Sequence, residues 1–435
     1  MSNHNQLKPA QNAADAWNML SLTPLEVNDS RYYDCSKARG VNVAQKLFNE
    51  LKLHSAAKKH MHIMLTGYRG DGKTTELFRF MNLIQDKYRP LYINAEDEFD
   101  LFDFRFPDFL LCIATVIYKR MNEQNLILDE KLIENVANWF ARIVETIETT
   151  TSAELKVEAG LGIPDWFKFI TAKLVNTLKA GGEKREQIRK ELNKNVFHLI
   201  SHVNRLLSEA GKLSKDHDSR ELVVLFDNLD RLSPELAYNL FGINGENLKS
   251  LNCHFIYVVP LSLHYRLEAP HLPIESCITM QIIPVHDQDN KPVEENITAL
   301  RNLLERRFVP ESILTDSDNI MREFILTSGG HLRDLIRLFH QSCRDALDEQ
   351  DRRISPRIVR RTINELCGTY EKAIIDDDYE YLVKTHKTKF SGNNIRTQHL
   401  IHNTVILVYD ELGEKWHDVH PALVQGRKFR EMLKE

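Results

Sequence analysis

Residues 67–74 read Gly-Tyr-Arg-Gly-Asp-Gly-Lys-Thr, a complete G-x-x-x-x-G-K-[ST] pattern, and no other stretch of the chain constrains the fold as tightly. Its glycines let the backbone turn so that successive N–H groups converge on one point, an arrangement suited to phosphate oxygens. Lys73 adds a mobile charge for β- and γ-phosphates, and the Thr74 hydroxyl is placed to ligate Mg²⁺. Such a loop works between a buried strand and a helix whose N-terminus favours an anion. The apolar run at 62–65 reads as that strand, and residues 75–80 continue as that helix. Candidate nucleotide contacts are therefore Gly67, Tyr68, Arg69, Gly70, Asp71, Gly72, Lys73, Thr74 and Thr75.

Further strands are expected at 89–94, 221–226, 254–259 and 278–283. Helical patterns separate them, which predicts a parallel sheet covered on both faces, with ligands at the carboxyl ends of its strands. The run at 221–226 ends in Asp227-Asn228-Leu229-Asp230. A triphosphate site needs a second acidic strand end to hold the Mg²⁺ shell and orient water, and Asp227 supplies it. Asn228 cannot accept a proton, so Asp230 is the candidate base; the alternatives are a helix N-cap or a salt bridge to Arg231. The 254–259 strand is expected between those at 62–65 and 221–226. Its exit residue Ser262 either meets the γ-phosphate or the water, or caps the next helix. Residues 328–335 set a glycine turn before a helix with Arg333 in its first turn. A cation there opposes the helix dipole, so bound phosphates or an acidic side chain must stabilise it.

The rest of the sequence sets the frame. At 435 residues the chain holds two or three cores, and 42% apolar with 27% charged residues is an ordinary globular composition. A net charge of -5 excludes coating nucleic acid by bulk electrostatics while allowing a local basic patch. Six scattered cysteines without a C-x-x-C pair fit reduced thiols, and neither a signal peptide nor an apolar span is visible, so a cytoplasmic location is expected. Residues 1–30 read as a flexible lead-in, 31–290 as the core with a helical insert at about 110–215, 291–370 as a helical lid, and 371–435 as a separate module. Within the insert, composition shifts at 149–180, and a single long helix is expected at 183–209. The tail pattern, two helices and then strands at 405–409 and 415–419, suggests a winged helix.

Three features keep two readings. The apolar stretch 166–175 fits core packing better than a membrane- or partner-facing helix. Arg352, Arg353, Arg357, Arg360 and Arg361 form the most basic run, suited to a nucleic-acid backbone or to a solvated or intersubunit face. His417 and His420 lack complete metal spacing and read as packing.

Taken in order, these pieces resemble the AAA+/STAND branch of P-loop ATPases. Residues 67–74 match the Walker A element and residues 225–232 the Walker B element, whose D-x-L-D arrangement is most similar to the KAP and NACHT groups. The resemblance implies an α/β, parallel-sheet P-loop NTPase core with a large helical insert, a helical lid and a C-terminal winged-helix module. It implies Lys73, Asp227 and Asp230 as catalytic residues, Thr74 and Asp227 as Mg²⁺ ligands, and Arg333 as the arginine of an origin-recognition-like sensor 2. It further implies an ATP hydrolase acting as an oligomerising switch with a protein effector partner, in bacterial relatives often in defence against phage. A nucleic-acid-binding loader and a non-hydrolysing, ATP-bound scaffold are the competing expectations. The insert departs from the KAP pattern by lacking membrane segments, and Arg231, Arg266, Arg306 and Arg307 compete for the role of arginine finger.

Overall fold

A computed structural model describes residues 7–147, 154–156, 162–212, 220–274, 276–411 and 413–434. The sequence-stretch shifts at 149–152 and 159–161 lie outside them. Five parallel strands build the central sheet: β1 (His62–Gly67), β2 (Tyr88–Asn94), β3 (Glu221–Asp227), β4 (His254–Pro260) and β5 (Cys277–Thr279). Their order is β2-β3-β4-β1-β5, so β4 does sit between the strands that carry the glycine-rich loop and Asp227. Only two residues of the expected 278–283 run, Ile278 and Thr279, are strand; the chain leaves the edge at Met280 and goes on towards the C-terminal helices.

The two-residue period of the strands assigns each face to its own core. Ile63, Leu65, Val223, Leu225, Ile256 and Val258 pack under the helices Val43–Ala56 and Lys73–Ile84 through Leu47, Leu51, Leu77 and Phe80. Their neighbours Met64, Val224, Phe226, Phe255, Tyr257 and Val259 face the other way, onto the helix Phe106–Glu123 and the insert. The insert continues through the helices Glu130–Glu145, Ile163–Ala180, Gly182–Lys194 and Val196–Lys212. Trp166, Phe167, Ile170 and Leu174 are fully buried, so this stretch is core and not an exposed membrane-binding face. The single long helix expected at 183–209 is broken at Asn195, whose side-chain amide bonds Glu191 O at 3.0 Å, a local bond that competes with helix continuation.

The C-terminal part holds the helices Glu294–Glu305, Ser317–Thr327, Leu332–Asp348 and Pro356–Glu371, then Asp378–Thr388 and Ile395–His402. A hairpin of β6 (Ile406–Glu411) and β7 (Glu414–Val419) follows. The division expected near residue 370 is not a packing boundary: Leu335, Phe339 and Tyr370 share one apolar cluster with Tyr379, Leu382, Leu407 and Tyr409. Nor are residues 7–30 a free lead-in. Ala13–Met19 is a helix buried on Leu332–Asp348 through Ala13, Ala16 and Met19, and Ala10 bridges to Phe308. Sequence inspection missed this because a seven-residue helix with alanine contacts carries too little apolar patterning to stand out from polar neighbours.

Gly330 shows how tightly these parts meet. It has φ +82°, and a Cβ there would lie 1.7 Å from Ile283 O. Gly330→Ala should therefore destabilise the chain by at least ~2 kcal/mol, from left-handed strain plus displaced backbone. A urea melt checks this, and an unchanged midpoint would contradict it.

Candidate nucleotide site

The carboxyl ends of β1 and β3 open on a cavity of about 390 Å³, lined by loop residues 69–76 together with Asp227, Asn228, Asp230 and Arg333. Volume and lining suit a small, charged ligand. At its floor the Thr74 hydroxyl donates to Asp227 Oδ2 at 2.7 Å, and the Tyr92 hydroxyl donates to the same oxygen at 2.8 Å. Burial pushes the Asp227 carboxyl above its ordinary range, opposed by the bonds from Thr74, Tyr92 and the Asn228 N–H. Asn228 takes the left-handed conformation, φ 63°, and its amide bonds Asn94 Oδ1 at 2.7 Å, so it turns the chain there.

Lys73 Nζ donates to Gly67 O at 2.9 Å and Tyr68 O at 2.8 Å, and pairs with Asp230 Oδ2 at 2.8 Å. Both partners of this ion pair are nearly buried, 5% and 7% exposed, so each charge depends on the other. Asp230 thus belongs to the phosphate loop's own electrostatics. It neither caps a helix nor pairs with Arg231, which meets Glu96 instead.

The other candidates divide. Arg333 lies directly over Gly70, where φ is +91° and a Cβ would fall 2.3 Å from the arginine Nε, so this position needs glycine on both counts. Burial lowers the Arg333 guanidinium below its usual range, with Arg231 and Arg337 adding to the effect. Asp71 is turned to the lid: its Oδ1 accepts from Leu332 N at 3.2 Å, an acid at a helix N-terminus. Tyr68 points away from the cavity. Its hydroxyl accepts from Val408 N and donates to Ile406 O, both at 2.9 Å, so its side chain is not a nucleotide contact. Gly67 likewise is not part of the lining, and Thr75 Oγ1 accepts from Leu25 N at 3.1 Å. Ser262 neither lines the cavity nor caps a helix; its hydroxyl is fully buried and has no partner among the described residues.

Sequence reading missed the apolar end of the cavity. Tyr32, Val41, Val43, Met280, Leu303 and Ile336 line it from segments far apart in the chain, as do residues 21–25. Arg307, which competes for the finger role, is buried there, bonded to Arg31 O and Leu303 O and lowered to about 10 by burial. It is therefore held within its own chain. Behind the loop, His331 Nε2 bonds Arg69 O at 2.9 Å and its Nδ1 bonds Asp334 Oδ2 at 2.8 Å. A carbonyl and a carboxylate both require an N–H, so His331 is the imidazolium, and its pKa is raised despite burial. His420, 3.2 Å from the same carboxylate oxygen, accepts from Ala422 N through Nδ1. That leaves no lone pair on these rings for a metal, although His331, Asp334 and His420 lie close enough together to suggest one. His417, bonded to Ser391 at 2.7 Å and lowered to about 4 by burial, is also a packing residue.

The parallel sheet, the glycine-rich loop between β1 and its helix, and the acidic end of β3 define an α/β P-loop NTPase core, extended by the helical insert, the lid and the C-terminal helix–hairpin module. At the level of known families, residues 59–158 match a model described as an AAA domain, a span that takes in β1, the loop and β2. No curated protein matches the chain. Among solved structures it is similar to Cdc6p from Pyrobaculum aerophilum, at 12% identity over 96% of this chain and 97% of that one, TM-score 0.40. It is similar also to the Aeropyrum pernix ORC1 protein in complex with DNA, at 13% identity over 96% and 98%, TM-score 0.36. The Thermotoga maritima RuvB Holliday junction branch migration motor matches at 11% over 95% and 98%, TM-score 0.35. These likenesses are loose, and the fold assignment rests on the sheet order and loop geometry. No described helix is long and apolar enough to cross a membrane.

Proposed function

We propose that the chain binds ATP with Mg²⁺ in this cavity and hydrolyses the terminal phosphate, using the nucleotide state as an oligomerising switch. The observation that carries the proposal is the pairing of Thr74 with Asp227 beside the Lys73–Asp230 ion pair, at the open end of one parallel sheet. An all-oxygen donor set from a hydroxyl and a carboxylate suits Mg²⁺, with Thr74 and Asp227 as its protein ligands. When bound, the ion would supply positive charge to offset the charge that develops on the transferred phosphoryl group. Lys73 carries the compensating charge. A triphosphate entering the loop competes with Asp230 for that ammonium, which frees the carboxylate to take a proton from water. Arg333, poised over Gly70, closes the site from the lid.

Removing Mg²⁺ with EDTA should abolish release of phosphate from ATP and leave the fold intact; release that persists in EDTA would contradict the reading. Mass photometry with ATP against ADP tests the switch. The tie between the phosphate loop and β6 through Tyr68 supports it. A protein effector and a role in defence against phage belong to this proposal by resemblance. The loader alternative is weakened by its own basic run: Arg357 pairs with Glu349, Arg361 with Asp345 and Glu349, and Arg353 with backbone carbonyls. DNA or RNA that stimulates hydrolysis with steep salt dependence would restore it.

A further inference from the structure

The two variable residues that follow the first glycine of the loop both reach the C-terminal module. Tyr68 bonds the backbone of β6, as described above. Arg69 does something else: its Nε and Nη2 both donate to the main-chain carbonyl of Asp230 at 3.1 Å, and Nη2 also donates to His402 Nε2 at 3.0 Å. His402 is the last residue of the helix Ile395–His402, which packs on the segment Leu261–Tyr265 after β4. The backbone of Arg69 is clamped as well, since His331 donates to its carbonyl.

The chemistry of the contact is directional. A guanidinium only donates, so His402 must accept through Nε2 and carry its proton on Nδ1. Burial first, and then the Arg69 charge, lower the imidazole to about 4, so it stays neutral and keeps accepting at ordinary pH. The fork of Arg69 thereby joins two groups that no local element connects: the carbonyl of the acid beside Lys73, and the end of a tail helix. Asp230, Arg231, Arg333 and Glu96 are the charges around it; His399, Asp230 and Glu235 join Arg69 around His402.

We propose that Arg69 is a positioning residue for Asp230 and that His402 of the C-terminal module holds it in place, so that docking of this module sets the rate of hydrolysis without setting affinity for nucleotide. The inference rests on the hydrolytic reading of the same site and adds to it a route by which the tail governs turnover. Neither residue need touch the reacting atoms. A carboxylate displaced by an ångström from the attacking water is enough to cost on the order of 100-fold in rate.

The test compares Arg69→Lys, His402→Ala and His402→Gln in the full chain. ATP affinity is read from titration of a fluorescent ATP analogue, kcat and KM from Mg-ATP turnover, and folding from thermal melts. Arg69→Lys should lower kcat on the order of 100-fold, because lysine keeps the charge but cannot span both acceptors. His402→Ala should lower kcat about tenfold, and His402→Gln, whose side-chain oxygen can accept the same N–H, should restore most of it. The dissociation constant for the analogue should stay within about threefold in both His402 variants. An unchanged kcat in His402→Ala, a glutamine variant no better than alanine, or a loss that appears in affinity alone would each overturn the relay while leaving the ATPase reading standing. A wild-type chain that binds ATP and never hydrolyses it would overturn both.

Discussion

Lys73→Ala should abolish measurable ATP binding. In the wild-type chain the ammonium sits among two loop carbonyls and the Asp230 carboxylate, at 5% exposure, already desolvated at the place where phosphate oxygens would lie. Charge-assisted bonds in such surroundings are about twice as strong as neutral ones, and truncating one partner of a buried pair costs ~2–5 kcal/mol. A loss of affinity on the order of 100-fold or more follows. The same substitution leaves Asp230 buried without its cation, so weaker binding could arise from a damaged fold. The double variant Lys73→Ala/Asp230→Asn separates the two effects, because it removes the orphaned charge. Its melting midpoint should recover towards wild type while its affinity does not. Normal affinity in either variant would sink the assignment of the site.

Asp230→Asn should leave ATP binding within a few fold and remove turnover by about 10²–10⁴-fold, the range expected when a positioned proton acceptor is lost. Asparagine keeps the size and a hydrogen-bond acceptor for Lys73, and the Gly67 and Tyr68 carbonyls still hold the ammonium, so the loop is expected to keep its geometry despite the lost counter-charge. Arg69 is bonded to the main-chain oxygen of this residue, and the substitution keeps that bond. Single-turnover hydrolysis beside an equilibrium titration measures both quantities. Turnover at the wild-type rate would move the base to another carboxylate of the cavity lining, where Asp227 is tied to Thr74, Asp71 to the lid and Glu96 to Arg231, and Glu76 keeps an oxygen without a partner among the described residues.

The core of this site was legible wherever local pattern and local geometry coincide. A strand, a glycine turn and a helix must follow one another to make the loop, and four apolar residues before Asp227 can only be a covered strand in a sheet of this kind. Sequence failed where geometry depends on segments distant in the chain. Tyr32, Val43, Leu303 and Ile336 line the same cavity, yet nothing in the spacing of those positions links them. The side-chain directions of Tyr68 and Asp71 were equally hidden, since the motif fixes the loop's backbone and leaves its variable side chains to whatever packs behind it. Ser262 was placed at the right strand end, but a strand end has two sides, and its hydroxyl takes the buried one.

The carboxylate of Asp334 gathers the imidazole of His331, the phenol of Tyr370 and the ring of His420 around a single oxygen. Four stretches of chain are thus moored to one interior anion: the loop that His331 also grips, two lid helices and the residue just beyond the hairpin. Loosening any one mooring takes a partner from a buried carboxylate, which penalises half-open arrangements. Concerted movement of these parts, with few stable stops on the way, is the expected consequence.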